Sequence, residues 1–183
     1  MKKIVAGVDY SMTSPSICVH EGEEWSHENC RFYYLVKREK LVFENNLFSG
    51  SVYPSYDIDT ERFDNLSQWS VDIINKHNVD ECYIEGYAFG ATGRVFHIAE
   101  NGGILKHKLW LNGTPFEVMA PTTIKKFATG KGNANKEKLY DAFVEETGID
   151  IRKTLDISNK SWNPVSDIVD AYYIAKYGFM NNE

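Results

Sequence analysis

Two short apolar segments that each end in one acidic residue constrain the fold of this chain most. Residues 4–8 are apolar and are followed by Asp9, and residues 82–84 are apolar and are followed by Glu85. Short apolar runs closed by a polar residue are typical of strands buried in a sheet. Ligands of open α/β sheets gather beyond the carboxyl ends of such strands. We therefore expect Asp9 and Glu85 to meet at one edge of a sheet.

A second acidic pair lies on the last predicted helix. Asp167 and Asp170 are three residues apart and so share one side of that helix, beside an apolar stripe that faces the core. Gathering four carboxylates would be strongly repulsive unless a cation lay between them. Oxygen ligands favour magnesium or manganese over zinc, and two such ions support phosphodiester hydrolysis. Four scattered acids are also common on ordinary charged surfaces, so alone they leave both interpretations open.

The hydrophobic pattern predicts antiparallel strands first and alternating helices and strands afterwards. Strands are predicted at residues 4–9 and 15–19, a third strand with a further hairpin within 31–53, and later strands at 82–85 and 116–119. Helices are predicted at 60–77 with Thr60 as N-cap, at 93–111, before Gly148, and from Asn163, which would cap the last helix. This order indicates a mixed sheet flanked by helices, in one domain spanning residues 1–183.

Composition places the chain among ordinary folded proteins. Of 183 residues, 43% are hydrophobic and 25% are charged, which excludes a disordered tail. No apolar run reaches the roughly 18 residues that span a membrane, so we predict a cytoplasmic protein without a membrane partner. The three cysteines are widely spaced, which favours buried thiols over a disulfide framework or a zinc site.

Charge is distributed unevenly along the chain. Residues 94–140 hold eight Lys or Arg and three Asp or Glu, a formal charge of +5, although the whole chain carries −6. The remainder therefore carries −11. A basic segment on an acidic protein is typical of a local phosphate-binding face, and equally of a solvated surface of helices and loops.

Five short segments, in order, resemble the motifs of RuvC-type Holliday-junction resolvases, which are nucleases of the ribonuclease H-like superfamily. The segments are residues 7–9 (GVD), 83–85 (YIE), 100–103 (ENGG), 125–136 (KKFATGKGNANK) and 167–171 (DIVDA). The resemblance implies a ribonuclease H-like α/β fold with a mixed five-stranded sheet flanked by helices. It also implies a metal-dependent endonuclease that cuts branched DNA, above all four-way junctions, as a homodimer.

The resemblance assigns roles to individual positions. It implies that Asp9, Glu85, Asp167 and Asp170 bind two Mg²⁺ ions, for which Mn²⁺ can substitute, and that Lys136 and Lys125 contact the DNA backbone near the scissile phosphate. The phosphate-binding track would be extended by three further basic residues: Lys126, Lys131 and Arg94. Dimerisation is expected through the helix at 93–111.

The chain also departs from the family. Bacterial members usually follow the first aspartate with Pro-Gly, whereas this chain has Tyr10-Ser11, and residues 21–59 form a longer and more divergent stretch. These departures favour a divergent, phage-like relative that acts in a host cytoplasm over the bacterial recombination enzyme itself. The aromatic wedge of bacterial relatives falls on Ala88, so Tyr87 and Phe89 are the nearest substitutes. Each could stack on an exposed base, and core packing is an equally good interpretation.

Two alternative functions stay open. One is another ribonuclease H-like nuclease, acting on RNA-DNA hybrids or as an exonuclease, although such exonucleases usually show Asp-x-Glu where this chain has Asp9-Tyr10-Ser11. The other is a non-catalytic module that binds junctions. The complete set of acids argues against that module, because concentrated negative charge beside phosphates would weaken binding.

Overall fold

The structure is a computed structural model that describes residues 3–87, 95–158 and 161–181. It contains six strands: β1 (Lys3–Asp9), β2 (Ser16–Gly22), β3 (Cys30–Val36), β4 (Phe48–Val52), β5 (Glu81–Glu85) and β6 (Phe116–Met119). The helices are α1 (Asp59–His77), α2 (Val95–Leu111), α3 (Pro121–Thr129), α4 (Lys136–Thr147), α5 (Ile151–Thr154) and α6 (Val165–Asn181). Short 3₁₀ turns at His27–Asn29 and Glu39–Leu41 flank β3.

The strands form one mixed sheet in the order β4-β3-β2-β1-β5-β6. The pairs β1–β2 and β2–β3 are antiparallel, and the remaining pairs are parallel. The prediction of a mixed α/β sheet is confirmed, but the predicted count of five strands is wrong, because β4 adds a sixth at one edge. The predicted further hairpin within 31–53 is present over residues 43–50, where Asn45 N donates to Phe48 O and Gly50 N donates to Phe43 O. Its second arm, β4, also pairs in parallel with β3, because the 3₁₀ turn at Glu39–Leu41 and the residues after it return the chain to the starting end of β3.

Helices cover both faces of the sheet. On one face, α1 and α2 pack on β1 and β2 through a core that includes Val8, Ile17, Leu66 and Leu105. On the other face, α4 and α6 pack on side chains of β1, β3 and β5. Alternate residues of each strand serve the two cores, as the two-residue period of a strand requires. The central strands are therefore apolar on both faces, which explains their continuous hydrophobic runs.

Helix α6 lies unusually close to the centre of the sheet. A Cβ atom placed on Gly7 would stand 2.2 Å from the backbone nitrogen of Ala175, and one on Gly178 would stand 2.1 Å from the ring of Tyr83. Only glycine permits such an approach. Because Gly7 and Tyr83 are paired in the register of β1 and β5, the two contacts lock α6 across the middle of these strands.

Some helix ends match the sequence pattern and others do not. The side chain of Asn135 accepts a hydrogen bond from Lys138 N and caps α4, and Gly148 ends α4 with a φ of 69°. The predicted N-cap of α1 is wrong, because Ile58 occupies that position without a side-chain cap and Thr60 lies in the first turn. The predicted cap of the last helix by Asn163 is wrong, because α6 begins at Val165 with Pro164 directly before it, and the Asn163 amide instead donates to Thr13 and Ser14.

The cysteines and the lengths of the helices bear on the remaining expectations. All three cysteines, Cys18, Cys30 and Cys82, are buried free thiols. Among the helices in the described ranges, none is long and apolar enough to cross a membrane.

Candidate active site

A cleft of about 320 Å³ opens at the carboxyl ends of β1 and β5. Six ionisable side chains line it: Asp9, Glu85, Asp167, Asp170, Lys125 and Lys136. The expectation that Asp9 and Glu85 meet at one sheet edge therefore agrees with the geometry. The pair on the last helix reaches the same cleft.

Strand alternation explains why these acids share one face. Asp9 follows Gly7 at a spacing of two residues, and Glu85 follows Tyr83 at the same spacing. Gly7 and Tyr83 both contact α6, so Asp9 and Glu85 point to the α6 side of the sheet. The first turns of α6 pass this edge and bring Asp167 and Asp170 into the cleft.

Burial and mutual repulsion dominate the electrostatics of the cleft. The pKa of Asp9 is raised well above its usual value, first by burial and then by the charges of Asp167, Glu85 and Asp170. Burial and the same neighbours raise the pKa of Asp170 to about 8. In the metal-free protein, part of this cluster therefore holds protons at neutral pH.

Two lysines partly offset that negative charge. Burial raises the pKa of Glu85, and the charges of Lys125 and Lys136 act in the opposite direction. Lys136 is the first residue of α4, and its Nζ donates to Ser166 Oγ on α6 at 3.1 Å. The cleft thus places two cations beside four acids, an arrangement suited to a phosphate that arrives with counter-ions.

The donor set matches hard divalent cations. The carboxylates supply only oxygen, and no histidine or cysteine lines the cleft among the described residues. Within the described ranges, no three His, Cys, Asp or Glu side chains already converge as a ready-made shell for a single ion. The four carboxylates that line the cleft nevertheless supply the oxygen ligands that magnesium and manganese prefer. The residues present therefore fit divalent metal.

Of the other residues predicted to contact DNA, those that the structure describes lie outside this cleft. Lys126 is exposed on α3, and Lys131 is exposed in the turn after it. Tyr87 is 41% exposed and lines a neighbouring, mainly apolar cleft of about 360 Å³, where the Lys106 ammonium stands 5.4 Å from the centre of its ring. Phe89 and Arg94 fall outside the described residues.

The sequence pattern missed two side chains that contact the site. Ser14 Oγ donates to Asp167 Oδ2 at 2.5 Å, and Ser166 Oγ accepts from Lys136. Ser14 stands in the polar turn after β1 and contacts a residue 153 positions away. No spacing rule could reveal such a contact. Ser166 is next to Asp167, so its position beside the acid pair was the available signal.

The mixed sheet, the helices on both faces and the acid cleft at the ends of β1 and β5 define a ribonuclease H-like fold with a nuclease-type site. The sequence pattern of the family described as crossover junction endodeoxyribonuclease RuvC matches residues 39–175. The chain belongs to this family, which makes it a structure-selective junction endonuclease. Membership also implies dependence on a divalent metal. No curated protein sequence gives a significant match.

Solved structures agree with this fold. Thermus thermophilus RuvC in complex with a Holliday junction substrate matches with a TM-score of 0.65 and 16% identity over 97% of this chain and 96% of that one. The yeast mitochondrial Holliday junction resolvase matches with a TM-score of 0.55 and 17% identity, over 94% of this chain and 76% of that one. The fowlpox virus resolvase in complex with Holliday junction DNA matches with a TM-score of 0.52 and 15% identity, over 98% of this chain and 99% of that one. At such identities the similarity is one of fold.

Proposed function

We propose that this chain, acting as one nuclease domain, cuts four-way DNA junctions by metal-dependent hydrolysis of a phosphodiester bond in the acid cleft. One observation carries the proposal: Asp9, Glu85, Asp167 and Asp170 reach a single cleft from three separate elements, with Lys125 and Lys136 beside them. Junction DNA bound to two of the matched structures supports the choice of substrate.

Each group in the cleft has a distinct task in this proposal. The four carboxylates hold two Mg²⁺ ions, which when bound activate the attacking water and stabilise the leaving oxygen. Lys136 and Lys125 bind non-bridging oxygens of the scissile phosphate and orient it. The contact from Ser166 keeps Lys136 Nζ at the edge of the cleft. Asp9 is buried and the charges of the other three acids all act on it, so it would hold the metal together with them.

DNA beyond the scissile phosphate would follow the basic residues outside the cleft. Lys126 and Lys131 are exposed on α3 and the turn after it, next to Lys125. They extend the phosphate-binding surface in the proposal, as Arg94 does from its position in the sequence. Tyr87 is exposed beside Glu85 and offers a ring on which an unpaired base could stack, for about 1 to 3 kcal/mol. Phe89 has the same proposed role.

Cleavage of two symmetric strands favours a two-fold dimer. Helix α2 carries the exposed apolar side chains Phe96, Trp110 and Leu111, which would be covered in such a dimer. Sedimentation equilibrium at micromolar concentration, with and without junction DNA, checks this. A monomer that makes paired cuts without dimerising on DNA would contradict the symmetric arrangement.

The decisive experiment compares labelled junction, duplex, flap and RNA-DNA hybrid substrates in Mg²⁺, in Mn²⁺ and in chelator. We expect metal-dependent cutting of the junction above all others. Asp9→Asn and Glu85→Gln should abolish cutting while junction binding persists, because each variant removes a ligand and also reduces negative charge near the phosphates. Asp141→Asn, on the exposed side of α4, is the matched control and should cut normally. Faster cutting of hybrid than of junction would reassign the substrate.

A further inference from the structure

Two consecutive hydrogen bonds connect Asn163 and Ser14 to Asp167 in the acid cleft. Asn163 Nδ2 donates to Ser14 Oγ at 2.9 Å, and Ser14 Oγ donates to Asp167 Oδ2 at 2.5 Å. Only 3% of Ser14 and 6% of Asp167 are exposed to solvent. Water therefore has little room to replace the contact between Ser14 and Asp167, and the contact from Asn163 to Ser14 is partly buried.

The direction of these two hydrogen bonds is fixed by their donors. A serine hydroxyl has one proton, and the amide nitrogen of Asn163 can only donate. Because Asn163 occupies an acceptor site on Ser14 Oγ, the hydroxyl proton is free to point at Asp167. A hydroxyl bonded to an ionised carboxylate is one of the stronger hydrogen bonds in proteins. The arrangement thus fixes one oxygen of Asp167 and with it the plane of the carboxylate.

The turn that carries Ser14 is held from other directions as well. Ser14 N donates to Ser11 Oγ at 3.1 Å, and Asn163 Nδ2 also donates to Thr13 Oγ1 at 3.2 Å. The guanidinium of Arg62 donates to the carbonyl oxygen of Met12. With its backbone anchored on both sides, Ser14 presents its hydroxyl from a rigid position, as a group that orients a ligand must.

The segment that carries Asn163 is anchored too. Arg152 Nη1 donates to Ser158 O at 2.9 Å and to Ser161 O at 2.7 Å. Its guanidinium carbon also lies 4.3 Å from the centre of the Trp162 ring. These contacts hold residues 161 and 162 against α5, directly before Asn163 in the chain, and so restrict the position from which the Asn163 amide reaches Ser14.

We propose that Ser14, held by Asn163, is a positioning residue that presents Asp167 to divalent metal. The inference rests on the proposed metal-binding role of the cleft. Groups that hydrogen-bond to metal ligands orient them, and removal of such a group typically lowers metal affinity by about 10- to 100-fold. Ser14 touches neither the cleft acids other than Asp167 nor, in this proposal, the DNA.

Calorimetric titration with Mn²⁺ alone, without DNA, tests the proposal. We expect Ser14→Ala to weaken Mn²⁺ binding by about 10- to 100-fold. Ser14→Thr keeps the hydroxyl and should recover most of the affinity. Ser70→Ala is the matched control, because Ser70 is equally buried but donates within α1 to Leu66 O, and it should bind Mn²⁺ normally.

Asn163→Ala should also weaken Mn²⁺ binding, and the double variant with Ser14→Ala should bind no more weakly than Ser14→Ala alone, because Asn163 acts through Ser14. Additive losses, or unchanged Mn²⁺ affinity in Ser14→Ala, would overturn the proposal. Thermal unfolding in chelator verifies that each variant is folded. If Ser14→Ala does not fold, the Mn²⁺ affinity of Asn163→Ala tests the proposal by itself, and an unchanged affinity of that variant refutes it. Absence of Mn²⁺ binding by the unaltered protein would instead refute the proposed function.

Discussion

Replacing Asp170 by asparagine should inactivate the protein and yet stabilise its metal-free form. Burial and the charges of Glu85 and Asp167 raise the pKa of Asp170 to about 8. A carboxyl group whose pKa is higher in the folded protein than in the unfolded chain favours folding most below the unfolded pKa, about 3.9. That contribution is lost as pH rises from about 4 towards 8, where the folded protein must accept the charge.

The magnitude follows from the pKa. Each pKa unit corresponds to about 1.4 kcal/mol, so the full rise from 3.8 to about 8 would represent roughly 6 kcal/mol. Asp170 is only half-buried and open to the cleft, and Glu85 and Asp167 change their own protonation when it is removed. We therefore expect Asp170→Asn to increase the free energy of unfolding by about 2 to 3 kcal/mol at pH 8. For a chain of this size, that raises Tm by about 5 to 10 °C.

Urea unfolding in chelator at pH 5 and at pH 8 measures this effect. The gain of Asp170→Asn over the unaltered protein should grow between the two pH values, because the lost carboxylate ionises in that window. Mg²⁺ should stabilise the unaltered protein and leave the variant almost unchanged, since binding to the folded state alone raises stability. Asp141→Asn, an exposed acid, should show neither effect. A variant less stable than the unaltered protein at pH 8, or a gain independent of pH, would refute the reasoning.

Three further predictions concern packing and DNA contacts. Gly7→Ala should destabilise the protein by at least about 2 kcal/mol in urea unfolding, because its Cβ would force α6 away from the sheet; unchanged stability would contradict the contact with α6. Lys131→Ala should reduce the salt dependence of junction binding by about one unit of log–log slope, whereas the exposed control Lys153→Ala should not. Tyr87→Ala should cost junction binding about 1 to 3 kcal/mol more than duplex binding, and equal losses on both DNAs would exclude stacking on an unpaired base.

The parts of the fold that depend on local pattern were predictable from the sequence. The strands that end at Asp9 and Glu85 and the end of α4 at Gly148 follow from alternation and from glycine in the left-handed region. Strand β4 was missed as a sixth strand of the sheet, because its parallel pairing with β3 depends on the path of the chain between the two strands, which residue types do not record. Thr60 was misjudged as a cap because α1 begins one residue earlier, at Asp59, and Glu61 Oε2 accepts a hydrogen bond from Asp57 N at this helix start.

The four acids of the cleft were predictable from the sequence, but the hydrogen bond that holds Asp167 was not. Strand ends and helix spacing place Asp9, Glu85 and the pair on α6 near one another. The contact between Ser14 and Asp167 joins residues 153 positions apart, and it exists only because α6 lies against Gly7. Contacts that depend on the approach of two elements require the three-dimensional structure. The same holds for the position of Tyr87 beside a second cleft.

The close seating of α6 against β1 has a consequence for synthesis of the protein in the cell. All six strands precede α6 in the chain, so the four acids cannot come together until the whole sheet has been translated and α6 has docked. A partly synthesised chain holds Asp9 and Glu85 without their partners. A chain that still lacks α6 therefore has an incomplete acid cleft, because the docking step that completes the core is also the step that brings the four acids together.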